Sequence, residues 1–459
     1  MKKLFIILLI VSILLSTSCQ EENDLDPKNP VTLVLWHNFG GQMQTTMDQL
    51  ISEFNNTLGK EKGIILSVES ISVSQALQEK LTMIASGDPG APKMPDITTC
   101  YPQTATILYE KNLLAPLDDL FTKDELSAYL SRFIEEGRLN DGKLYVFPFA
   151  KSTEVLFVNQ TLFNRFSAAT GINLESLSSF EGIARASLEY YDWTDSLTPD
   201  VKNDGKTFYA VDSTFNIAQV GMKQLGSSLW NGENLNCSDS AFKQIWKFLY
   251  EPAVKGGFAV YDGYSSDLSK TGQIVCSTGS TAGILFYGDE ITYPDNTTEK
   301  VEYTVLPFPI FEGGKKIAIQ RGNGMIVAAS EPKKEKAAAI FLKWFTAPKQ
   351  NMKFVASTGY LPVTNEAFED SIEQEIASND NINIQKLLRT AIDVHMNYDF
   401  YIPPAFDSFN QTRSDFESDL SKISSISRAE YLELKKIKSA DEAFSEASSD
   451  GLSLFISDR

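Results

Sequence analysis

The residues able to do acid–base or nucleophilic chemistry are few and scattered. His37 and His395 are the only histidines in 459 residues, which rules out an HExxH zinc helix and leaves any His-dependent triad little to draw on. Gly205-Lys206-Thr207 has the tail of a phosphate loop, but Asp200 stands where the earlier glycine belongs. Gly279-Ser280-Thr281-Ala282-Gly283 has the outline of a nucleophile elbow with Thr, not Ser, at its centre. Carboxylates remain: among 60 Asp and Glu, no spacing singles out a glycosidase pair. The chemistry on offer is that of binding, with no cofactor and no metal site required.

The elements that must position a binding site are legible in the first third of the chain. Residues 31–36 form an apolar run, interrupted only by Thr32, of the kind found in a parallel strand covered on both faces. Met43, Met47, Leu50, Ile51, Phe54 and Leu58 then recur at helical spacing, with Gly59 as the expected stop. A strand over 64–70, a helix through Leu77, Leu81 and Ile84 ending at Gly87, and a short strand over 96–99 follow. Strand, helix, strand, helix, strand predicts a right-handed parallel α/β sheet. Ligands in such sheets sit outside the carboxyl ends of the strands. This nominates the loops His37 to Gly41, Ile71 to Ser74 and Cys100 to Gln103, and with them Trp36, Phe39 and Tyr101, which read equally well as core or rim aromatics.

A second α/β region is expected from about residue 150. Two apolar runs within 143–159 are interrupted by Ala150-Lys151-Ser152-Thr153-Glu154, and those of 303–310 and 316–329 include the interruption Gln320-Arg321-Gly322-Asn323-Gly324. Each interruption suits a crossing between lobes. Ser330 is the expected cap of the following helix, and Pro348 ends that helix or starts the next.

The two ends and the charge bound the compartment and the partners. Lys2 and Lys3, an apolar run over 4–15, and Leu15-Ser16-Thr17-Ser18-Cys19 read as a lipoprotein signal: residues 1–18 removed, Cys19 carrying the lipid, and the acidic, proline-punctuated segment 19–30 a tether to the membrane. An uncleaved anchor, or a plain signal with a chance cysteine, is the alternative. No other stretch is long and apolar enough to span a bilayer. A formal net charge of −19 disfavours nucleic acid and anionic lipid as partners. Cys100, Cys237 and Cys276 allow at most one disulfide and read as buried thiols rather than a framework.

Several segments in combination resemble the extracellular solute-binding proteins of bacterial ABC importers, the family of maltose and glycerol-3-phosphate binders. They are LWHNFGG, MPDI, YEKNLLAPLDDLF, DGKLYVFPFAKSTEVLFVNQTLF, RGNGMIVAAS with AAAIFLKWFTAPKQ, and STGYLPVTNEAF, spread over nearly the whole mature chain. FPFAKSTEVLFVNQTLF, CSTGSTAG, TGYLP and FNQTRSDFESDL look most like the glycerol-3-phosphate and glycerophosphodiester binders.

The resemblance implies an α/β fold of the two-lobe periplasmic-binding-protein type, each lobe a mainly parallel sheet flanked by helices. It implies lobes of 31–149 with 322–363 and 150–321 with 364–459, joined by a multi-crossing hinge. It implies Ser152, Ser280, Gly322, Tyr360 and Arg413 as ligand residues, with Arg413 on a phosphate through paired charge-assisted hydrogen bonds. In the same family an oligosaccharide binder would stack sugar faces on Trp36, Phe39, Tyr101, Trp230 and Tyr360. Further off stands a surface glycoside hydrolase or adhesin. The subfamily's tyrosine after the second strand and glutamate after the third are replaced by Ser72, Val73 or Ser74 and by Tyr101 or Pro102, so the residues that would read glycerol hydroxyls are missing. Arg413 also reads as a surface partner of Asp415 or Glu417, and Ser152 and Ser280 as turn or capping hydroxyls. The expected partners are a small solute, the permease of an importer and, through Cys19, the membrane; the expected protein is an exported monomer without nucleic acid.

Overall fold

A computed structural model of the chain describes residues 25–406 and 408–457. The signal segment 1–18 and Cys19 lie outside the described residues. In chain order the strands that frame the site are β1 (Val31–His37), β2 (Ile64–Ser70), β3 (Ile97–Cys100), β4 (Phe147–Pro148), β5 (Glu154–Asn159), β6 (Tyr209–Val211), β7 (Cys276–Ser280), β8 (Tyr303–Pro307), β9 (Ile317–Ile319), β10 (Gly324–Val327) and β11 (Asp399–Tyr401). The helices used below are α1 (Gly41–Asn56), α2 (Ser74–Ser86), α3 (Pro102–Glu110), α4 (Ser131–Glu136), α5 (Pro332–Thr346), α6 (Pro348–Thr358), α7 (Ile382–Asn397) and α8 (Phe409–Leu434).

Two sheets, each with its own core, make two lobes. The first has the order β2-β1-β3-β10-β4 and the second β8-β5-β7-β6. In the first, β1 pairs in parallel with β2 and β3, as the alternation of strand and helix requires, while β10 runs antiparallel to both β3 and β4. In the second, β5 runs antiparallel to β8 and β7, and β6 runs parallel to β7. Both reversed strands, β5 and β10, enter their sheets straight from a crossing. A chain arriving from the hinge starts at the cleft and runs away from it, whereas the other strands end there. Each sheet is therefore mixed: one reversed strand among strands that otherwise share a direction makes two of four pairings antiparallel in the first sheet and two of three in the second.

Side-chain pattern explains the packing. Met47, Leu50, Ile51 and Phe54 occupy one stripe of α1 and are all buried against the first sheet. Every residue of β5 is buried, as expected for a central strand covered on both faces. Three details differ from expectation. Gly59 does not stop a helix: it lies within a short helix, Leu58–Lys62, where a Cβ would come 2.7 Å from the Ile64 carbonyl, and the left-handed stop is Gly63 at φ 72°. Ser330 does not cap α5, whose N-cap is Glu331; Pro348 occupies the first turn of α6. The last residues of the expected tether are docked rather than free, because Leu25 packs on the first core and the Asp26 backbone lies against Gly63.

The crossings are stitched to one another. Ser152 and Arg321 exchange backbone hydrogen bonds of 2.9 and 2.8 Å, and Leu361 N–H donates to the Lys151 carbonyl at 2.6 Å. Lys151 is buried with them: its ammonium lies 2.6 Å from Glu136 of α4 and 3.0 Å from the Gly322 carbonyl. Gly322 adopts φ 99°, and a Cβ there would sit 2.5 Å from the Ala150 carbonyl, so only glycine allows this approach.

Candidate functional site

The site is built where β1, β3, β5, β6, β7 and the crossings meet. His37 ends β1, and the turn beyond it sets out Asn38. The Asn38 carbonyl accepts from Thr99 at 3.0 Å and from Asn323 at 2.7 Å, and its amide donates to Ser74 at 2.5 Å. These polar groups, with Cys100 and Tyr101, line a small pocket on the first lobe. Tyr101 is the N-cap of α3, with Pro102 in the first turn. Burial pushes its phenol pKa up, and the nearby guanidinium groups of Arg321 and Arg413 pull it back. Tyr360 lies against Phe39 and Phe354 at 5.9 and 5.8 Å between ring centroids, and burial raises its pKa as well.

From the second lobe, Glu154 opens β5 and is 1% exposed. Its Oε1 accepts from Arg321 at 2.8 Å and from the Asn216 amide at 2.7 Å. Burial raises the Glu154 pKa, with Arg321 and Asn216 opposing the rise. The Arg321 side chain is 31% exposed. Desolvation is the largest influence and works against its charge, but Glu154, Tyr101, Asp212 and Tyr360 together outweigh it and raise the pKa. Arg321 therefore stands between carboxylates of one lobe and phenols of the other.

The residues singled out in the sequence separate into four groups. Tyr101 and Tyr360 come together around Arg321, which acts on both phenols, and Arg413 acts on Tyr101. Arg413 is exposed in the second turn of α8 and makes no ion pair among the described residues. Glu417 instead accepts from Ser213 and the Phe215 amide, and Asp415 accepts from Gln411. Ser152 and Gly322 build the hinge through their backbones. Ser280 ends β7 opposite Glu154, and its hydroxyl accepts from the Ala282 amide at 3.3 Å, which is the capping role.

The two tryptophans are supports. Trp36 is 5% exposed and packed in the first lobe, with the Lys80 ammonium 5.4 Å from its ring centre, so it presents no face to a solute. The Trp230 indole donates to Gln219 and to the Tyr401 hydroxyl, both at 3.2 Å, and packs on Phe406 and Phe409 beneath the segment that leads to Arg413. That segment touches the other lobe, for the Gln103 amide at the start of α3 donates to the Pro404 carbonyl at 3.2 Å.

Sequence reasoning missed Arg321, Glu154 and Asn216. The only signal was a charged pair inside interruptions already recognised as crossings. Neither histidine is placed for catalysis. His37 is fully buried, its Nδ1 accepts from the Phe39 amide at 3.2 Å, and burial lowers its pKa. His395 stacks on Phe368 and meets Arg132 on another part of the hinge. Cys100, Cys237 and Cys276 are free and buried, and no cluster of metal-ligating side chains occurs among the described residues.

A family model described as bacterial extracellular solute-binding protein matches residues 49–382. No curated protein sequence matches the chain. Among solved structures, the cyclic alpha-maltosyl-1,6-maltose binding protein from Arthrobacter globiformis superposes with a TM-score of 0.67 at 17% identity, over 94% of this chain and 100% of that one. UgpB from Mycobacterium tuberculosis in complex with glycerophosphocholine gives 0.67 at 18% identity, over 94% of this chain and 99% of that one. MalE from Bdellovibrio bacteriovorus bound to maltotriose gives 0.61 at 16% identity, over 93% of this chain and 100% of that one. At these identities the likeness is one of fold.

Proposed function

We propose that this chain, which belongs to the family of bacterial extracellular solute-binding proteins, catches a small polar solute between its lobes and delivers it to the permease of an ABC importer. The observation that carries this reading is that Arg321, on a crossing, is bonded to Glu154 of the second lobe and acts on Tyr101 and Tyr360 of the first, with Arg413 of the second lobe also acting on Tyr101. Closure follows when the solute binds the closed arrangement better than the open one, which lets a permease tell loaded from empty protein. The moving bodies are residues 31–149 with 322–363 and 150–321 with 364–459, hinged at the stitched crossings. Lipid on Cys19 holds the exported monomer at the membrane, and no cofactor takes part.

For the solute we favour glycerol 3-phosphate or a glycerophosphodiester. The supporting observation is Arg413, a guanidinium at the cleft that is matched by no acid among the described residues; phosphate oxygens suit its planar fork. The mycobacterial relative in complex with glycerophosphocholine is consistent with this class. The sugar reading is favoured by the ring faces of Tyr101 and Tyr360 and of Tyr264, which is 74% exposed and electrostatically coupled to Tyr101. Titration calorimetry with glycerol 3-phosphate, glycerophosphocholine and maltose tests the choice. Arg413→Ala is expected to weaken phosphate binding by about 2–5 kcal/mol and Arg413→Lys to recover part of it. Tight maltose binding indifferent to Arg413 would refute the phosphate class and promote the sugar one.

A further inference from the structure

The sequence leaves the uncharged end of such a solute without a reader, because the expected tyrosine and glutamate after β2 and β3 are absent. We propose that Arg321 takes that place: its guanidinium, neutralised and held by Glu154, binds the hydroxyl-bearing end of the solute and sets the balance between neutral and anionic ligands. The inference rests on the solute-binding reading and deepens it.

Four observations carry it. The Arg321 backbone is fixed by both hydrogen bonds to Ser152, and the next residue, Gly322, is locked against Ala150 and Lys151. The side chain leaves this fixed crossing and reaches Glu154, whose carboxylate is also held by Asn216, so the pair is preorganised before any ligand arrives. One Nη1–H is spent on Glu154 while the side chain keeps 31% of its surface exposed, which leaves donors of the five-donor fork free on the cleft side. Finally, the two charges cancel at the floor. A matched arginine offers directional donors to hydroxyl or ring oxygens without the field that favours an anion, and Glu154 is its positioning residue.

The design separates two roles within one cleft: a matched arginine for hydroxyls and, at Arg413, an unmatched one for charge. Removing the Glu154 charge while keeping its shape must therefore convert the floor into a second anion site.

The test uses the mature protein and three probes, glycerol 3-phosphate, glycerophosphocholine and maltose, titrated into the parent, Glu154→Gln, Arg321→Gln and Arg321→Lys. For whichever probe the parent binds, Arg321→Gln is expected to weaken affinity at least about tenfold, the loss typical of a charged hydrogen-bond donor. Glu154→Gln is expected to shift the ratio of glycerol 3-phosphate to maltose affinity toward the anion by about tenfold, through the positive charge it leaves with only the weaker influence of Asp212 against it. A purely structural role would not move that ratio. Should Arg321→Gln fold poorly, Arg321→Lys, which keeps the charge match and loses the fork, is expected to weaken binding with the ratio unchanged. Affinity for a bound probe within threefold of the parent in the Arg321 variants, or an unmoved ratio in Glu154→Gln, overturns the inference and leaves solute binding intact. Failure of the parent to bind any probe overturns the solute class proposed above and the inference with it.

Discussion

The hinge can be weighed through Lys151→Met. Lys151 and Glu136 form a pair at 2.6 Å with side chains only 4% and 8% exposed, so little solvent screens either charge. Methionine keeps the apolar stem and removes the ammonium. Glu136 would then retain the Gln320 amide as its partner, and the Gly322 carbonyl would lose a 3.0 Å hydrogen bond. Breaking one side of a buried pair costs about 3–5 kcal/mol, because the remaining charge stays desolvated. Removing both charges is far milder, since a pair of this kind contributes little net stability over apolar groups of similar size. The double variant Lys151→Met/Glu136→Leu should accordingly lose only about 1–2 kcal/mol, roughly 1–4 kcal/mol less than Lys151→Met alone. Urea unfolding of the four proteins, followed by tryptophan fluorescence, measures this directly. A single-variant loss below about 1 kcal/mol, or a double variant no more stable than Lys151→Met, would refute the claim that this pair holds the crossings.

Three further outcomes are expected. Gly322→Ala should destabilise the protein by at least about 2 kcal/mol in the same assay, since it combines φ 99° with a Cβ 2.5 Å from the Ala150 carbonyl; an unchanged urea midpoint would contradict that geometry. His395, held neutral by burial and by Arg132 with its pKa pushed down to about 4, contributes stability that is lost as pH falls from about 6.5 through 4, because the unfolded imidazole takes up its proton first. His395→Gln, which cannot titrate yet can still accept from Arg132, should flatten the stability–pH curve over that window by up to about 3 kcal/mol, and an identical curve would reject the assignment. Cys19→Ala should move the exported protein from the detergent phase to the aqueous phase on partitioning, whereas retention in detergent would speak against the lipid anchor.

Much of the architecture is written in local pattern. The apolar run of β1, the stripe Met47, Leu50, Ile51 and Phe54, and the stop at Gly87 each follow from periodicity and backbone preference, and their order alone requires the parallel half of the first sheet. The crossings are legible because a polar interruption between two apolar runs has few other uses, and Lys151, Ser152 and Gly322 do lie there. Where the expectation depended on distance it failed or stayed open. Trp36 looks the same in sequence whether it faces the core or the cleft, and the fold packs it beneath Lys80.

The site itself belongs to tertiary structure. Glu154 and Arg321 are 167 residues apart, and nothing near either one announces the other. A lone acid and a lone arginine in polar segments are ordinarily solvated, each indifferent to the other. Only when two crossings pair side by side is the Glu154 carboxylate withdrawn from water and the Arg321 guanidinium partly so, and the buried charge is tolerable because its partner is there. Periodicity records which way a side chain points within its own element; it carries no record of which distant charge will share its burial. The sequence alone therefore decided the family of architecture and the chemistry available to it, while the juxtaposition of Tyr101, Tyr360, Glu154 and Arg321 was decided by the pairing of two distant crossings between the sheets, where partial desolvation makes each charge depend on the other.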